Sequence, residues 1–171
     1  MPLLLQPQAE ALPGYRLLEP LGKGGFGEVW KCEAPGGLLK AVKIVRNKAD
    51  ALDSEGTDAQ LELQALEYVR SVRHPFLLAL DRIEIADGVL VAVMELADGS
   101  LYDQLRHYQS VGQAGVPRGG LLARLWEAAE VLDVMNLRHR LLHLDVKPHN
   151  LLLLGGHVKV ADFGLVSRLP T

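Results

Sequence analysis

Apolar positions follow two periods in this chain, and the period changes along it. Residues 15–21, 28–33 and 38–45 are short apolar or alternating runs. They are parted by a glycine-dense stretch at 22–27 and by Ala34-Pro35-Gly36-Gly37, a pattern that predicts an antiparallel meander. Residues 47–56 are polar and read as loop. Thr57 with Gln60 three residues on is a capping-box pattern, and Leu61, Ala65, Val69 and Val72 then recur at helical spacing until His74-Pro75 ends the helix. Ile83 and Ile85 mark a fourth strand, Asp87-Gly88 a hairpin turn, and residues 89–94 a buried fifth strand. Asp98-Gly99-Ser100 breaks the chain before a short helix at 101–108. Residues 111–120 hold four glycines and a proline and read as a flexible connection. Leu122, Leu125, Trp126, Ala129, Leu132 and Met135 predict a long, largely buried helix that runs to about residue 140. Residues 141–148 are irregular. Residues 151–154 and 158–161 flank Gly155-Gly156 as another hairpin.

These elements predict an α+β fold: a five-stranded antiparallel sheet carrying one long helix over residues 13–96, then a mainly helical part over 97–171. Residues 1–12 show little period and read as a loose leader.

Composition narrows the classes without naming one. Apolar residues make up 49% and charged residues 23% of 171, an ordinary globular balance that excludes disorder, collagen and coiled coil. The net charge of −3 gives no basic field for gripping nucleic acid. No apolar run reaches the ~20 residues of a membrane span, and the start lacks the basic region of a signal peptide. Cys32 is the single cysteine, so no intrachain disulfide and no cysteine-based zinc site forms, which fits a reducing cytoplasm.

Candidate chemistry concentrates at three places. Gly22, Gly24 and Gly27 fit G-x-G-x-x-G-x-V, ending at Val29, and glycines let a backbone approach phosphate oxygens. A dinucleotide-binding fold would need a helix next, but residues 29–32 read as strand; a Walker loop would need Gly-Lys-Ser/Thr, which is absent. Lys43 stands inside the apolar strand Ala41-Val42-Lys43-Ile44, facing away from Val42 and Ile44. A core-facing lysine is costly without a carboxylate. Glu62 and Glu67 compete for it on the following helix. Glu62 is the choice, because Leu66 shares its face one turn on, whereas Glu67 has Ser71 there.

The third place is His143-Leu144-Asp145-Val146-Lys147-Pro148-His149-Asn150, followed by Asp162-Phe163-Gly164. Phosphoryl transfer needs positioning and charge neutralisation more than covalent chemistry. Asp145 can orient or accept a hydroxyl proton, Lys147 can neutralise the moving group, and Asn150 and Asp162 offer oxygens suited to Mg²⁺. Each piece alone also fits a polar loop with a cap and a turn. A zinc site from His143, His149 and His157 matches no metal spacing.

Taken in order, these motifs resemble a eukaryotic-type serine/threonine protein kinase, of the kind found in bacteria, from about Tyr15 to Arg168. The resemblance implies a two-lobed fold with ATP between a sheet lobe and a helical lobe. It implies that Gly22, Gly24, Gly25 and Gly27, with Phe26 at the tip, cover the phosphates. Lys43 would bind the α and β phosphates and pair with Glu62, Asp145 would be the catalytic base beside Lys147, and Asn150 and Asp162 would hold Mg²⁺. Leu21, Val29, Ala41 and Leu152 would enclose the adenine, with Met94 as gatekeeper and Glu95 and Ala97 offering hinge hydrogen bonds. Leu66, Leu80, His143 and Phe163 would stack as an internal spine. Lys147, two residues after Asp145, is similar to the serine/threonine class. Two features depart from the family pattern: Leu144 stands where many relatives carry arginine, and no Ala-Pro-Glu follows Gly164, so the chain resembles a kinase domain cut short after Asp-Phe-Gly.

The expected function is ATP- and Mg-dependent transfer to Ser/Thr hydroxyls of protein substrates in the full-length parent. The alternatives are a nucleotide-binding scaffold without turnover and a small-molecule phosphotransferase. An expected consequence of the short helical part is apolar surface left facing water.

Overall fold

The meander forms as one antiparallel sheet in a computed structural model that describes residues 5–24, 27–46, 58–86 and 88–169. Its strands are β1 (Glu10–Leu12), β2 (Tyr15–Gly24), β3 (Gly27–Ala34), β4 (Leu38–Arg46), β5 (Leu80–Ala86) and β6 (Val89–Glu95), ordered β1-β2-β3-β4-β6-β5. There are six strands where the pattern predicts five. The extra strand comes from the segment read as a loose leader: Ala11 and Leu12 are buried with Leu17, Trp30, Cys32, Val42, Ile44, Val91 and Val93. Burying a leucine is worth about 1.5–3 kcal/mol, a reason for so short a segment to hold the sheet edge.

Helix α1 (Asp58–Arg70) buries Glu62, Ala65, Leu66 and Val69, a run of i, i+3, i+4 and i+7. Leu61, expected in the apolar stripe, is 53% exposed. Ala65, Val69 and Val72 are buried as predicted, but Glu62 rather than Leu61 fills the first inward position, where its carboxylate meets Lys43. The Thr57 cap, the polar stretch 47–56 and Asp87 lie outside the described residues.

Two compact units divide the chain: Met1–Glu67 with Ala79–Leu96, and Tyr68–Leu78 with Ala97–Thr171. The second contains β7 (Gly99–Ser100), α2 (Leu101–Ser110), α3 (Arg118–His139), β8 (Leu141–Leu142), β9 (Leu151–Leu154), β10 (His157–Val160) and β11 (Ser167–Arg168), with a 3₁₀ turn at Pro148–Asn150. Strands β10, β9 and β7 form one small sheet, β11 and β8 another. Asp98-Gly99-Ser100, read as a break, instead supplies a strand and a helix start: Asp103 N–H donates to Ser100 Oγ at 3.1 Å, and Ser100 N–H to Asp103 Oδ2 at 2.8 Å.

Helix α3 begins at Arg118, inside the predicted flexible connection, and is less buried than predicted. Its buried residues are Ala128, Val131 and Met135, whereas Leu122, Leu125 and Trp126 are exposed, Trp126 by 75%. The inward face also carries Arg124 and Glu127, which have fixed partners. Arg124 donates to Gly120 O at 3.0 Å, and Glu127 accepts from Val158 N–H at 2.8 Å and pairs with His157 at 2.7 Å. No helix of the described residues is long and apolar enough to cross a membrane.

Candidate active site

Strand register divides the chemistry of the first unit between the two faces of its sheet. Cross-strand partners share a face, and so do positions two apart. The pairs Gly24↔Gly27, Gly22↔Val29, Val29↔Lys43, Lys43↔Ala92 and Ala41↔Met94 therefore put all three motif glycines, Val29, Ala41, Lys43 and Met94 on one face. Trp30, Val42, Ile44, Val91 and Val93 line the other face, in the apolar cluster.

The glycines differ in what the fold asks of them. Gly27 has φ +118°, and a Cβ there would lie 2.3 Å from Ile44 O, so only glycine fits. Gly22 and Gly24 have no positive φ, and a Cβ on either would meet nothing within 4 Å. Backbone packing gives no reason for glycine at these two positions. Gly25 and Phe26 lie outside the described residues.

Lys43 is 8% exposed, and its Nζ donates to Glu62 Oε1 at 2.7 Å; Glu62 is 2% exposed. Glu67 is exposed, so the lysine's carboxylate is Glu62. Removing one partner of a buried pair strands the other's charge, at a cost of about 3–5 kcal/mol.

In the second unit, Lys147 Nζ donates to Asp145 Oδ2 at 2.7 Å, and Asn150 Nδ2 donates to the same oxygen at 2.9 Å and to Asp145 O at 2.8 Å. The Lys147 bond is the main cause that holds the Asp145 carboxyl below the usual aspartate range, with Asn150 helping against partial burial. Both donors use Oδ2. His143 is buried beneath the loop. Asp145 N–H donates to its Nδ1 at 3.3 Å, so the ring proton sits on Nε2, which donates to Ala161 O at 2.9 Å. Burial holds this imidazole below its ordinary range and therefore neutral at pH 7. Leu144 and Asp162 take left-handed φ of +60° and +61°. Such backbone in non-glycine residues costs about 1–3 kcal/mol and clusters at functional loops.

The protein kinase domain model matches residues 15–171 of the chain. The chain belongs to the protein kinase domain family. It is 32% identical over 155 residues to the human NUAK family SNF1-like kinase 2, covering 88% of this chain and 23% of that protein. It is 32% identical over 159 residues to the CBL-interacting protein kinase 4 of Oryza sativa subsp. japonica, covering 92% of this chain and 34% of the relative. Against the human serine/threonine-protein kinase greatwall, identity is 31% over 162 residues, or 93% and 17% of the two chains. The chain thus spans between about a sixth and a third of the length of these curated relatives.

A kinase family member implies ATP and a divalent cation, and the donors present suit Mg²⁺. Both Asn150 Nδ2 bonds go to Asp145. Ala161 N–H donates to Asn150 O at 2.9 Å, which puts Asp162, the next residue, beside Asn150. Two hard oxygen donors are what a kinase Mg²⁺ needs from the protein, since phosphates and water complete its shell. Among the described residues no group of three or more His, Cys, Asp or Glu gathers to hold a metal, so the three histidines weighed for zinc make no site.

The remaining kinase positions fall as follows. Leu21 is exposed on β2, Leu152 half-buried on β9, and Ala97 half-buried just beyond β6. Glu95 N–H donates to Ala79 O at 3.1 Å, and Glu95 Oε1 accepts from Ala79 N–H at 2.8 Å. Of the spine residues, Leu66 is buried and Leu80 half-buried in the first unit, while His143 stacks edge-on against Phe163 at 5.9 Å in the second. The sequence reading missed Asp98, whose Oδ2 accepts from Gly155 N–H at 3.0 Å and ties the post-hinge segment to the β9–β10 turn. Its only signal was an acidic residue before Gly99, too common to read.

Proposed function

We propose that this chain binds Mg-ATP and carries the phosphoryl-transfer machinery of a protein kinase acting on Ser/Thr hydroxyls of proteins. The Asp145–Lys147–Asn150 contact set supports this reading most directly. Gly22, Gly24 and Gly27 cover the phosphates. Lys43, held by Glu62, binds the α and β phosphates. Val29, Ala41, Leu21 and Leu152 enclose the adenine next to Met94, Glu95 and Ala97. Asn150 and Asp162 hold Mg²⁺, which neutralises phosphate charge when bound.

Asp145 receives the substrate hydroxyl at Oδ1. Its carboxyl is held below the usual range, so it is a weak base in the ground state. It orients the hydroxyl first and takes the proton late, as the new O–P bond forms and ADP departs. That order suits the loose transition state of phosphoryl transfer. Lys147 supplies positive charge where the moving group needs it. All of these positions keep the residue types the chemistry needs, so the scaffold alternative has no observation of its own. The reading places the reaction in the cytoplasm, where ATP is supplied and a buried thiol such as Cys32 stays reduced.

The test is transfer from γ-labelled ATP to a generic Ser/Thr protein substrate, with Mg-ATP affinity measured in parallel. Asp145→Asn should lower turnover by about 10²–10⁴-fold with affinity retained. Full turnover in Asp145→Asn, or transfer to aminoglycosides instead of protein, would sink the reading.

A further inference from the structure

The glycine hairpin has a register problem. Register is weakly specified in glycine-rich strands, because no side-chain burial pins it. Residues 19–24 of β2 are all exposed, and β2 already carries irregularities between Leu17 and Glu19 and between Pro20 and Gly22. A slip of one residue would turn Lys23 onto the Lys43 face and turn Gly22 and Gly24 away from it.

One set of contacts opposes that slip. Lys23 and Glu28 are direct cross-strand partners on the face opposite Lys43. Lys23 Nζ pairs with Glu28 Oε1 at 2.8 Å, and Trp30 Nε1 donates to Glu28 Oε2 at 3.3 Å. Trp30 is buried in the apolar cluster with Val42, Ile44, Val91 and Val93. Glu28 therefore joins an exposed lysine beside the glycine turn to a fixed indole in the core, using one carboxylate oxygen for each. Further from the turn, Lys31–Glu19 at 3.0 Å and Arg16–Glu33 at 2.6 Å are also opposed-charge partners across the same two strands. Alone among these three pairs, the one nearest the turn is bonded to a buried group.

We propose that Glu28 is a positioning residue for nucleotide binding: through Lys23 and Trp30 it pins the β2–β3 register that turns Gly22, Gly24 and Gly27 toward Lys43. The inference rests on the phosphate-covering role given to those glycines above. Glu28 touches no nucleotide; it acts through the hairpin backbone.

Two readouts on the whole chain test it: hydrogen exchange of the amides of residues 20–24 and 27–29, and Mg-ATP affinity. Glu28→Ala should speed exchange in those amides alone and weaken Mg-ATP binding by about fivefold, the upper end for an exposed ion pair. Glu28→Gln keeps an acceptor for Trp30 and should fall between Glu28→Ala and the parent. Lys23→Glu should behave like Glu28→Ala, and Lys23→Glu with Glu28→Lys should recover part of the loss, since it restores the cross-strand pair but leaves Trp30 without its acceptor. A merely structural role would lower overall stability without this rescue. Unchanged exchange in Glu28→Ala overturns the proposal, as does faster exchange with unchanged affinity. A parent chain that binds no Mg-ATP overturns the kinase reading instead, and the exchange result then still decides whether Glu28 holds the hairpin.

Discussion

Replacing each motif glycine by alanine should separate the fold's demands from the ligand's. In Gly27→Ala the new Cβ would sit 2.3 Å from Ile44 O and 3.2 Å from Val45 Cα, both backbone, at φ +118°. The conformation costs an L-residue about 1–3 kcal/mol, and forcing atoms into packed backbone adds about 1–3 kcal/mol. A loss of about 2–6 kcal/mol is therefore expected. Gly22→Ala and Gly24→Ala place a methyl in open space at φ that is not left-handed. Through the unfolded state they should be neutral or stabilising by up to about 1 kcal/mol. On the nucleotide the order reverses: both should weaken Mg-ATP, by about tenfold if the methyl removes roughly 1.4 kcal/mol of close approach. Denaturant unfolding followed by Trp30 fluorescence in a Trp126→Phe background reads the sheet, since Trp30 is buried and Trp126 exposed. A Gly27→Ala chain as stable as its parent, or Gly22→Ala and Gly24→Ala chains that bind Mg-ATP as the parent does, would refute the reasoning.

Three further outcomes are expected. Glu62→Gln should destabilise the first unit by about 3–5 kcal/mol by leaving the Lys43 charge buried, whereas Glu67→Gln should stay within about 0.5 kcal/mol; chemical denaturation compares them. His143 has its folded pKa lowered below the ordinary 6.5, chiefly by burial. The unfolded chain therefore binds its proton first, and stability should be full above about pH 6.5 and decline as pH falls toward the lowered value; helix ellipticity against denaturant at stepped pH reads this, and His143→Phe should flatten the dependence. Lys147→Ala should raise the Asp145 titration, because the lysine is the largest cause of its depression; carboxyl-carbon NMR follows it directly.

The parts of the fold legible in the sequence are those where one force acts alone. The meander, the β9–β10 hairpin and the Lys43–Glu62 pair follow from alternation, turn residues and the cost of a lone buried charge. What the sequence hid depends on partners distant along the chain. Helix α3 has two faces that read as apolar, and periodicity favoured Leu122, Leu125 and Trp126. The inward face instead carries Arg124, bonded through one Nη to Gly120 O, and Glu127, which Val158 N–H and His157 satisfy. Leu61 looked like core because Glu62 did not. Strands β1, β7, β8 and β11 are two or three residues long, too short for any period, and exist because a neighbouring strand offers hydrogen bonds. At the candidate site, residues chosen by spacing meet as Lys43–Glu62 and as Asp145 with Lys147 and Asn150; the split among glycines was not legible, since it depends on the Ile44 carbonyl.

Calorimetric titration of Mg-ATP into the chain, beside Lys43→Met, tests the central claim most directly. The account predicts saturable binding at one site that requires Mg²⁺ and weakens at least about tenfold in Lys43→Met, roughly the 1.4 kcal/mol of one lost charged contact. Affinity unchanged by Lys43→Met, or no saturable binding in the parent, would contradict it.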